Sequence, residues 1–147
     1  MALEEKINED LKSSMKSKDL PRISCLRFLK SHIKNKQVEK RERLNDDEIF
    51  SLISSLIRRG QDSVKEFRLG GREDLAAKEE QEINILYGYL PKQLSPDEIE
   101  GILKETISEL SAEGPKDIGR VMKAAMNRMA GRVQGKEVNE IARKLLS

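Results

Sequence analysis

One stretch of the chain decides the fold class: residues 45–57, which read NDDEIFSLISSLI. Asn45 is a residue type that caps helices, because its side chain accepts a hydrogen bond from an amide of the first turn. The acids from Asp46 to Glu48 suit the positive end of the helix dipole. The apolar residues then recur at steps of three and four, the period of one helix face: Ile49, Leu52, Ile53, Leu56 and Ile57. The stretch therefore predicts an α-helix with one buried face.

The same period runs through the rest of the chain. No stretch alternates apolar and polar residues over the length of a strand, so we predict an all-α fold. Prolines, glycines and capping residues separate the helices, most clearly at residues 95–98, where Ser95 and Glu98 form a predicted capping box. The breaks leave seven predicted helices, at about residues 2–17, 21–43, 46–69, 73–90, 96–113, 117–129 and 137–146.

The tetrapeptide Leu90-Pro91-Lys92-Gln93 is the best candidate for a domain boundary, because it interrupts the helical pattern between longer and shorter predicted helices. We therefore predict two helical subdomains. The N-terminal subdomain takes residues 1–90 and contains the longer helices. The C-terminal subdomain takes residues 91–147 and forms a small three-helix bundle.

Composition excludes several classes of protein. The chain has 147 residues, with 28 basic and 26 acidic side chains, one Cys and one His. Cys25 cannot form an internal disulfide, and together with His32 it cannot complete a zinc site. The chain lacks an apolar run of about 18 residues, and its N-terminus lacks the apolar region of a secretory signal. We therefore expect a cytoplasmic protein that does not associate with a membrane.

The sixth predicted helix combines an apolar and a basic side. Ile118, Met122, Ala125 and Met129 point to one side of the helix. The predicted binding surface consists of positively charged or hydrogen-bonding side chains. They lie on the opposite side of the helix, beside the apolar stripe and in the adjoining turns: Arg120, Lys123, Asn127, Arg128, Arg132 and Lys136. Glycines 131 and 135 would let a partner approach the backbone closely, and the amides that begin the next helix suit a phosphate.

Four motifs carry a resemblance to a known family. They are GREDL at residues 71–75, YLPKQLS at 89–95, DIGRVMK at 117–123 and GRVQGKEVN at 131–139. In this order and spacing the chain resembles the GatB/YqeY family, whose members are free-standing or form the tail of the B subunit of the tRNA-dependent amidotransferase or an appendage of some glutaminyl-tRNA synthetases. The resemblance implies an all-helical fold of two subdomains and, in the fused proteins, a role in holding the tRNA elbow. Ile118, Asn127 and Gln134 depart from the family pattern, where Met, Pro and Asp are usual.

No constellation of residues predicts catalysis. The chain lacks a phosphate-binding GxxxxGK[ST] motif, and His32 has no carboxylate at three or four residues' distance to orient it. Cys25 fits a small buried residue better than a nucleophile. The acidic run at residues 79–82 fits a solvated helix face better than a metal site, because a di-metal helical site needs histidines that the chain does not have. We therefore predict no catalytic residue, no metal and no cofactor.

Three functional hypotheses follow. The first is a non-catalytic module that binds tRNA, with an amidotransferase or an aminoacyl-tRNA synthetase as its protein partner. The second is a protein–protein adaptor, which would use the segment at residues 89–91 or the acidic stretch at 45–110, where 8 basic and 15 acidic residues give a net charge of −7. The third, implied by the family name, is carbon–nitrogen ligation with glutamine as amide donor. Two structural alternatives stay open, since charged helix faces are usually only solvated and glycines 131 and 135 could serve tight packing.

Overall fold

The computed structural model describes residues 2–147, and within them it contains helices and no strand. The helices have these bounds: α1 Leu3–Ser17, α2 Leu20–Lys40, α3 Asp46–Leu69, α4 Glu73–Tyr87, α5 Pro96–Leu110, α6 Ile118–Arg128 and α7 Gly135–Leu146, with a 3₁₀ turn at Pro115–Asp117 before α6. The prediction of an all-α fold is confirmed.

Two helices begin at complete capping boxes. The Glu48 amide donates to Asn45 Oδ1 over 2.9 Å at the start of α3, and the Glu98 amide donates to Ser95 Oγ over 3.2 Å at the start of α5. In both boxes the glutamate side chain also accepts a hydrogen bond from the backbone amide of the capping residue. Both predicted helix starts are confirmed.

Several predicted helix ends are wrong. α2 ends at Lys40 rather than near residue 43, because Arg41 adopts a left-handed conformation with φ 62°. α5 ends at Leu110 rather than before Gly114, because Ser111 adopts φ 52° and its amide donates to Ile107 and Ser108 carbonyls. Left-handed residues commonly end helices, but the usual residue there is glycine, so neither position carried a sequence signal.

Two further boundaries differ from the prediction. α4 ends at Tyr87 rather than at residue 90, and short turn hydrogen bonds follow it, such as that from the Tyr89 amide to the Leu86 carbonyl over 3.1 Å. α7 begins at Gly135 rather than at residue 137. The fourth helix is therefore shorter than the position of Pro91 suggested. The last helix is longer than the positions of its apolar residues suggested.

The chain divides into two compact units, with the division between Leu90 and Pro91. In the N-terminal unit, α1 to α4 surround a core of aliphatic side chains, of which Ile7, Leu26, Leu29, Ile53 and Ile57 are fully buried. Gly60 lies in the middle of α3, and a Cβ atom there would come within 2.9 Å of Ile83 Cγ1 on α4. The absence of a side chain at Gly60 thus sets how closely α3 and α4 approach.

The C-terminal unit contains α5, α6 and α7 around a second core. Its fully buried side chains include Ile99, Leu103, Val121, Met129 and Val138. The segment that leads into α5 belongs to this unit, and its Leu94 amide donates to the Arg132 carbonyl over 2.8 Å. The three helices and this segment together hold the loop between α6 and α7.

Candidate nucleic-acid interface

α6 has one buried and one exposed side. Val121 and Ala125 are completely buried against the rest of the C-terminal unit, and Met129 is buried just after the helix. Ile118 and Met122 are only half-buried at the edges of that side. The buried stripe is therefore centred nearer to Val121 than the sequence pattern suggested, because that pattern left Val121 out.

The predicted binding residues on α6 have different surroundings. Arg120, Lys123 and Asn127 are all exposed on the side opposite the core. Arg120 donates to Asp117 Oδ1 over 3.1 Å, although 55% of its side chain is exposed. Asp117 is held by the Glu113 amide as well, and this bond and Arg120 lower the pKa of its carboxyl group. The charge of Arg120 is therefore partly neutralised.

Arg128 points toward α5. It donates to Thr106 Oγ1 over 3.1 Å and to Glu105 Oε2 over 3.3 Å, and it lies 3.5 Å from a Glu109 oxygen. The reason is its position on the helix, about 20° from the buried Val121 at 100° per residue, which places it at the junction of α5 and α6. Arg128 thus joins two helices of the unit, although 39% of its side chain is exposed.

The loop between α6 and α7 is held by two residues that precede α5. The Gln93 amide group donates to the Gly131 carbonyl over 2.8 Å and to the Pro91 carbonyl over 3.0 Å. The next residue, Leu94, donates its backbone amide to the Arg132 carbonyl. Two of the sequence motifs, far apart in the chain, therefore meet in space. Sequence reasoning missed the role of Gln93, because the hydrogen bond to Gly131 joins residues 38 positions apart and leaves no local pattern in the sequence.

The two glycines of this loop have different structural roles. Gly131 is buried and has φ 74°, a left-handed conformation that side chains other than glycine disfavour. Gly135 has no such conformation, and a Cβ there would meet Met126 Cε at 3.9 Å, an ordinary contact distance. The left-handed backbone therefore explains why position 131 is glycine, whereas tight packing does not explain why position 135 is glycine.

Cations lie in this loop and on the two helices that flank it. Lys123 and Lys136 are exposed and have no carboxylate within 4.0 Å among the described residues. Arg132 is half-buried, and its Nε donates to the Lys92 carbonyl over 3.4 Å. Lys92 itself is exposed at the same corner, and sequence reasoning did not include it. The positive charges of Lys92 and Arg132 contribute to the lowered pKa of Glu98, after the hydrogen bonds from Ser95.

The side chains considered for chemistry lie in the N-terminal unit. Cys25 is buried, its thiol donates to the Glu82 carbonyl over 3.6 Å, and burial is the main cause that raises the pKa of the thiol to about 12. The His32 ring packs edge-on against Phe28, with 4.5 Å between ring centroids. Within residues 2–147, no group of three His, Cys, Asp or Glu side chains is arranged to hold a metal ion. In the same residues, no helix is both long and apolar enough to span a bilayer.

Comparison with known proteins identifies related sequences. The sequence model of a family described as "Yqey-like protein" matches residues 4–146. A protein of Pyrenophora tritici-repentis named "Altered inheritance of mitochondria protein 41, mitochondrial" is 31% identical over 134 residues, which are 90% of this chain and 74% of that protein. Proteins of the same name are 34% identical in Vanderwaltozyma polyspora and 35% identical in Lachancea thermotolerans, over 71% and 74% of this chain. This chain covers 58% and 60% of those two relatives.

The names of these relatives contradict the predicted cytoplasmic location, because each of them is called mitochondrial. The prediction rested on composition and on the absence of a secretory signal pattern. Neither property distinguishes a cytoplasmic protein from one that is imported into mitochondria, for which the targeting segments are amphipathic and rich in Arg and Ser. The prediction of a cytoplasmic location was therefore wrong.

Proposed function

The chain belongs to the family of Yqey-like proteins, and from that membership we propose that it is a non-catalytic module that binds tRNA through its phosphate groups. The contacts would come from α6, from the loop that follows it and from the first turn of α7. An amidotransferase or an aminoacyl-tRNA synthetase would be the protein partner. The surface would recognise the shape and charge of a folded RNA and not its bases.

The observation that carries this proposal is a pair of exposed, unpaired lysines on the two helices that flank the loop. Lys123 on α6 and Lys136 on α7 are exposed, and neither has a carboxylate partner among the residues that the structure describes. A lysine that is not paired loses no internal contact when it binds a phosphate. Arg132 adds a third charge in the loop between them. These three residues are therefore the principal proposed contacts.

The remaining predicted residues have lesser roles in the proposal. Arg120 would have to exchange its bond to Asp117 for a phosphate, so its contribution should be smaller. Asn127 is exposed and provides a hydrogen-bond donor without charge. Arg128 would act indirectly, because its guanidinium group is occupied by Thr106, Glu105 and Glu109.

Neutralising the three principal cations tests the proposal. We expect the change of Lys123, Arg132 and Lys136 to Gln to weaken binding of bulk tRNA most strongly at low salt. Each phosphate contact contributes about 0.7 to 0.9 to the slope of log affinity against log salt, so the slope should fall by about two. The measurement is a fluorescence titration of bulk tRNA at several salt concentrations.

A second triple change in the same unit is the matched control. Lys104, Arg143 and Lys144 lie on α5 and on the last turn of α7, so their change to Gln removes the same charge away from the loop. The control should bind tRNA nearly as well as the unchanged protein. Equal losses of tRNA affinity in both variants would mean that net charge alone determines binding. Unchanged binding in the first variant would refute the proposal.

The two alternative functions have less structural support. The adaptor hypothesis offered the acidic stretch at residues 45–110 or the segment at residues 89–91, and in that segment Tyr89 is buried and its hydroxyl donates to Asp10 Oδ2 over 2.6 Å. Amide transfer from glutamine needs an activated nucleophile. The one thiol, Cys25, is buried and protonated at neutral pH, because its pKa is raised to about 12. With pure protein, glutamine, ATP and misacylated tRNA, we expect no turnover.

The names of the relatives support a cellular compartment for the proposed function. Their printed name calls them mitochondrial, which supports a mitochondrial site of action for this chain as well. Fractionation of cells that express a tagged protein would test this location, and recovery of the tag outside mitochondria would contradict it.

A further inference from the structure

We propose that the outer face of α2, in the N-terminal unit, is a second RNA-binding surface. It would bind unpaired nucleotides, with Phe28 stacking on a base while Arg27, Lys30 and Lys34 hold phosphates. This surface goes beyond the proposed function, because it uses different residues in the other unit and a different form of RNA.

The charge of α2 is of one sign over most of its length. Residues 20–38 contain five basic side chains and no acidic one. Two of the five are paired with carboxylates just outside this range, Arg22 with Asp19 at 3.6 Å and Lys36 with Glu39 at 3.5 Å. The other three form no ion pair within the part of the chain that the structure describes, and all three are exposed: Arg27, Lys30 and Lys34.

These three cations lie on the exposed surface of α2 toward α1, and Lys30 and Lys34 line the groove between the two helices. The helix buries its other side, with Cys25, Leu26, Leu29 and Ile33 as the buried residues. At 100° per residue, the three cations fall within about 60° of one another. They are three and four residues apart, so consecutive charges are separated by about one helical turn of 5.4 Å. The result is a continuous row of positive charge.

An exposed aromatic ring lies at the other edge of the exposed surface of α2, about 100° around the helix from Arg27 and further from Lys30 and Lys34. Phe28 follows Arg27 in sequence, and 51% of its surface is open to solvent. His32 packs edge-on against the ring with 4.5 Å between centroids, which supports the ring from one side. A strand of RNA that crosses the exposed surface of α2 could stack one base on Phe28 while Arg27 binds the adjoining phosphate and the two lysines bind phosphates further along, because every base has a flat face that stacks on an aromatic ring.

The distribution of apolar side chains favours RNA over a lipid surface. Leu20 and Val38 are the other large apolar residues exposed on α2, and they are separated by about 27 Å along the helix axis. Polar residues, Ser31 and Asn35, lie between them on the exposed side. A helix that inserts into a membrane interface needs a continuous apolar face, which α2 does not present to solvent.

The test uses the full chain and a fluorescent 12-nucleotide oligouridine as the probe. We expect the change of Arg27, Lys30 and Lys34 to Gln to lower the affinity about tenfold at low salt and to reduce the salt slope by about two. The change of Phe28 to Leu should lower the affinity about fivefold or more, with an unchanged salt slope, because it removes stacking and no charge. All four positions are exposed, so the variants should keep the helical content of the unchanged protein.

Matched variants separate this surface from the first. Changing Lys12, Arg58 and Lys65 to Gln removes three exposed charges elsewhere in the N-terminal unit and should alter oligouridine affinity less than twofold. The Lys123, Arg132 and Lys136 triple variant should lower affinity for bulk tRNA much more than affinity for oligouridine. Loss of tRNA binding in that variant, together with unchanged oligouridine binding in the α2 variants, would overturn the second surface and leave the proposed function intact.

Two other outcomes would also overturn the inference. Failure of the unchanged protein to bind oligouridine would refute the second surface, and failure to bind tRNA as well would refute both proposals. Binding to phosphatidylserine vesicles that the Phe28 to Leu change abolishes, with no effect on RNA, would show that the face binds lipid instead. Cross-linking with a 4-thiouridine-labelled oligonucleotide gives an independent readout, which should map to residues 27–34.

Discussion

Glycines in the interior of helices have different surroundings in the two units. Gly60 in α3 of the N-terminal unit is buried, and an added Cβ would meet Ile83 at 2.9 Å. Among residues 2–147, nothing lies within 4 Å of such a Cβ at Gly101 in α5 or at Gly119 in α6 of the C-terminal unit. The N-terminal unit thus depends on close contact between helices. The C-terminal unit instead depends on the bend of the loop between α6 and α7, where Gly131 has φ 74°.

The largest effect that we expect comes from filling the contact at Gly60. The change of Gly60 to Val should destabilise the N-terminal unit by about 3 kcal/mol, because the added side chain overpacks the junction of α3 and α4. Urea denaturation measures this loss. The change of Gly101 to Val is the control and should cost less than about 0.5 kcal/mol, since valine has a helix propensity no worse than glycine. Similar losses in both variants would contradict the difference between the units.

The next effect concerns the loop of the C-terminal unit. The change of Gly131 to Ala should cost about 1 to 2 kcal/mol, because φ 74° brings the new Cβ too close to the backbone carbonyl. If the loop relaxes to relieve this strain, tRNA affinity should fall as well. The control is Gly135 to Ala, whose Cβ has room beside Met126. Thermal unfolding and tRNA titration would check both variants, and a stable Gly131 variant would argue against a required left-handed conformation.

A smaller effect of opposite sign is expected at Gly101. Its change to Ala should stabilise the C-terminal unit by about 0.5 to 1 kcal/mol, because alanine loses less backbone entropy in a helix and meets no neighbour there. The midpoint of urea unfolding should rise. A lower midpoint would mean that the exposed side of α5 is closer to other groups than the structure indicates.

The smallest effect is a difference between the two capping boxes in what lowers the pKa of the glutamate. Glu48 and Glu98 both have lowered pKa values, but the first cause is the Lys40 ammonium for Glu48 and the Ser95 backbone amide for Glu98. A lowered folded-state pKa stabilises the protein above the unfolded value of about 4.3, and this contribution disappears as the pH falls through the folded value. NMR titration should show that Lys40 to Ala raises the pKa of Glu48 and leaves that of Glu98 unchanged. A shift of both pKa values would indicate that the variant acts through the net charge of the protein and not through the contact between Lys40 and Glu48.

The sequence predicted the parts of the fold that depend on local interactions. The capping box at Ser95 and Glu98 and the helix cap at Asn45 could be read from the sequence, and the all-α class could be predicted from the spacing of the apolar residues. The ends at Arg41 and Ser111 could not be predicted, because left-handed residues other than glycine carry no local signal. The early end of α4 at Tyr87 had no distinctive residue type either.

The candidate interface could be predicted only in part, for a related reason. Helical period alone places Lys123 on the side opposite Val121, and the structure shows it exposed there. The partners of Arg128 lie on another helix, and the support that Gln93 gives to the Gly131 carbonyl connects residues 38 positions apart. Tertiary contacts of this kind decide which cations are free, and a single sequence does not contain them.

The burial of Cys25 gives the N-terminal unit its own chemical reporter. It is the chain's one cysteine, so a thiol reagent can modify nothing in the C-terminal unit. Modification requires that the helices around the sulfur separate, since the thiol is inaccessible and hardly ionised in the closed unit. The rate of labelling in native buffer would therefore measure how often the first unit opens, without an engineered probe and without any signal from the second.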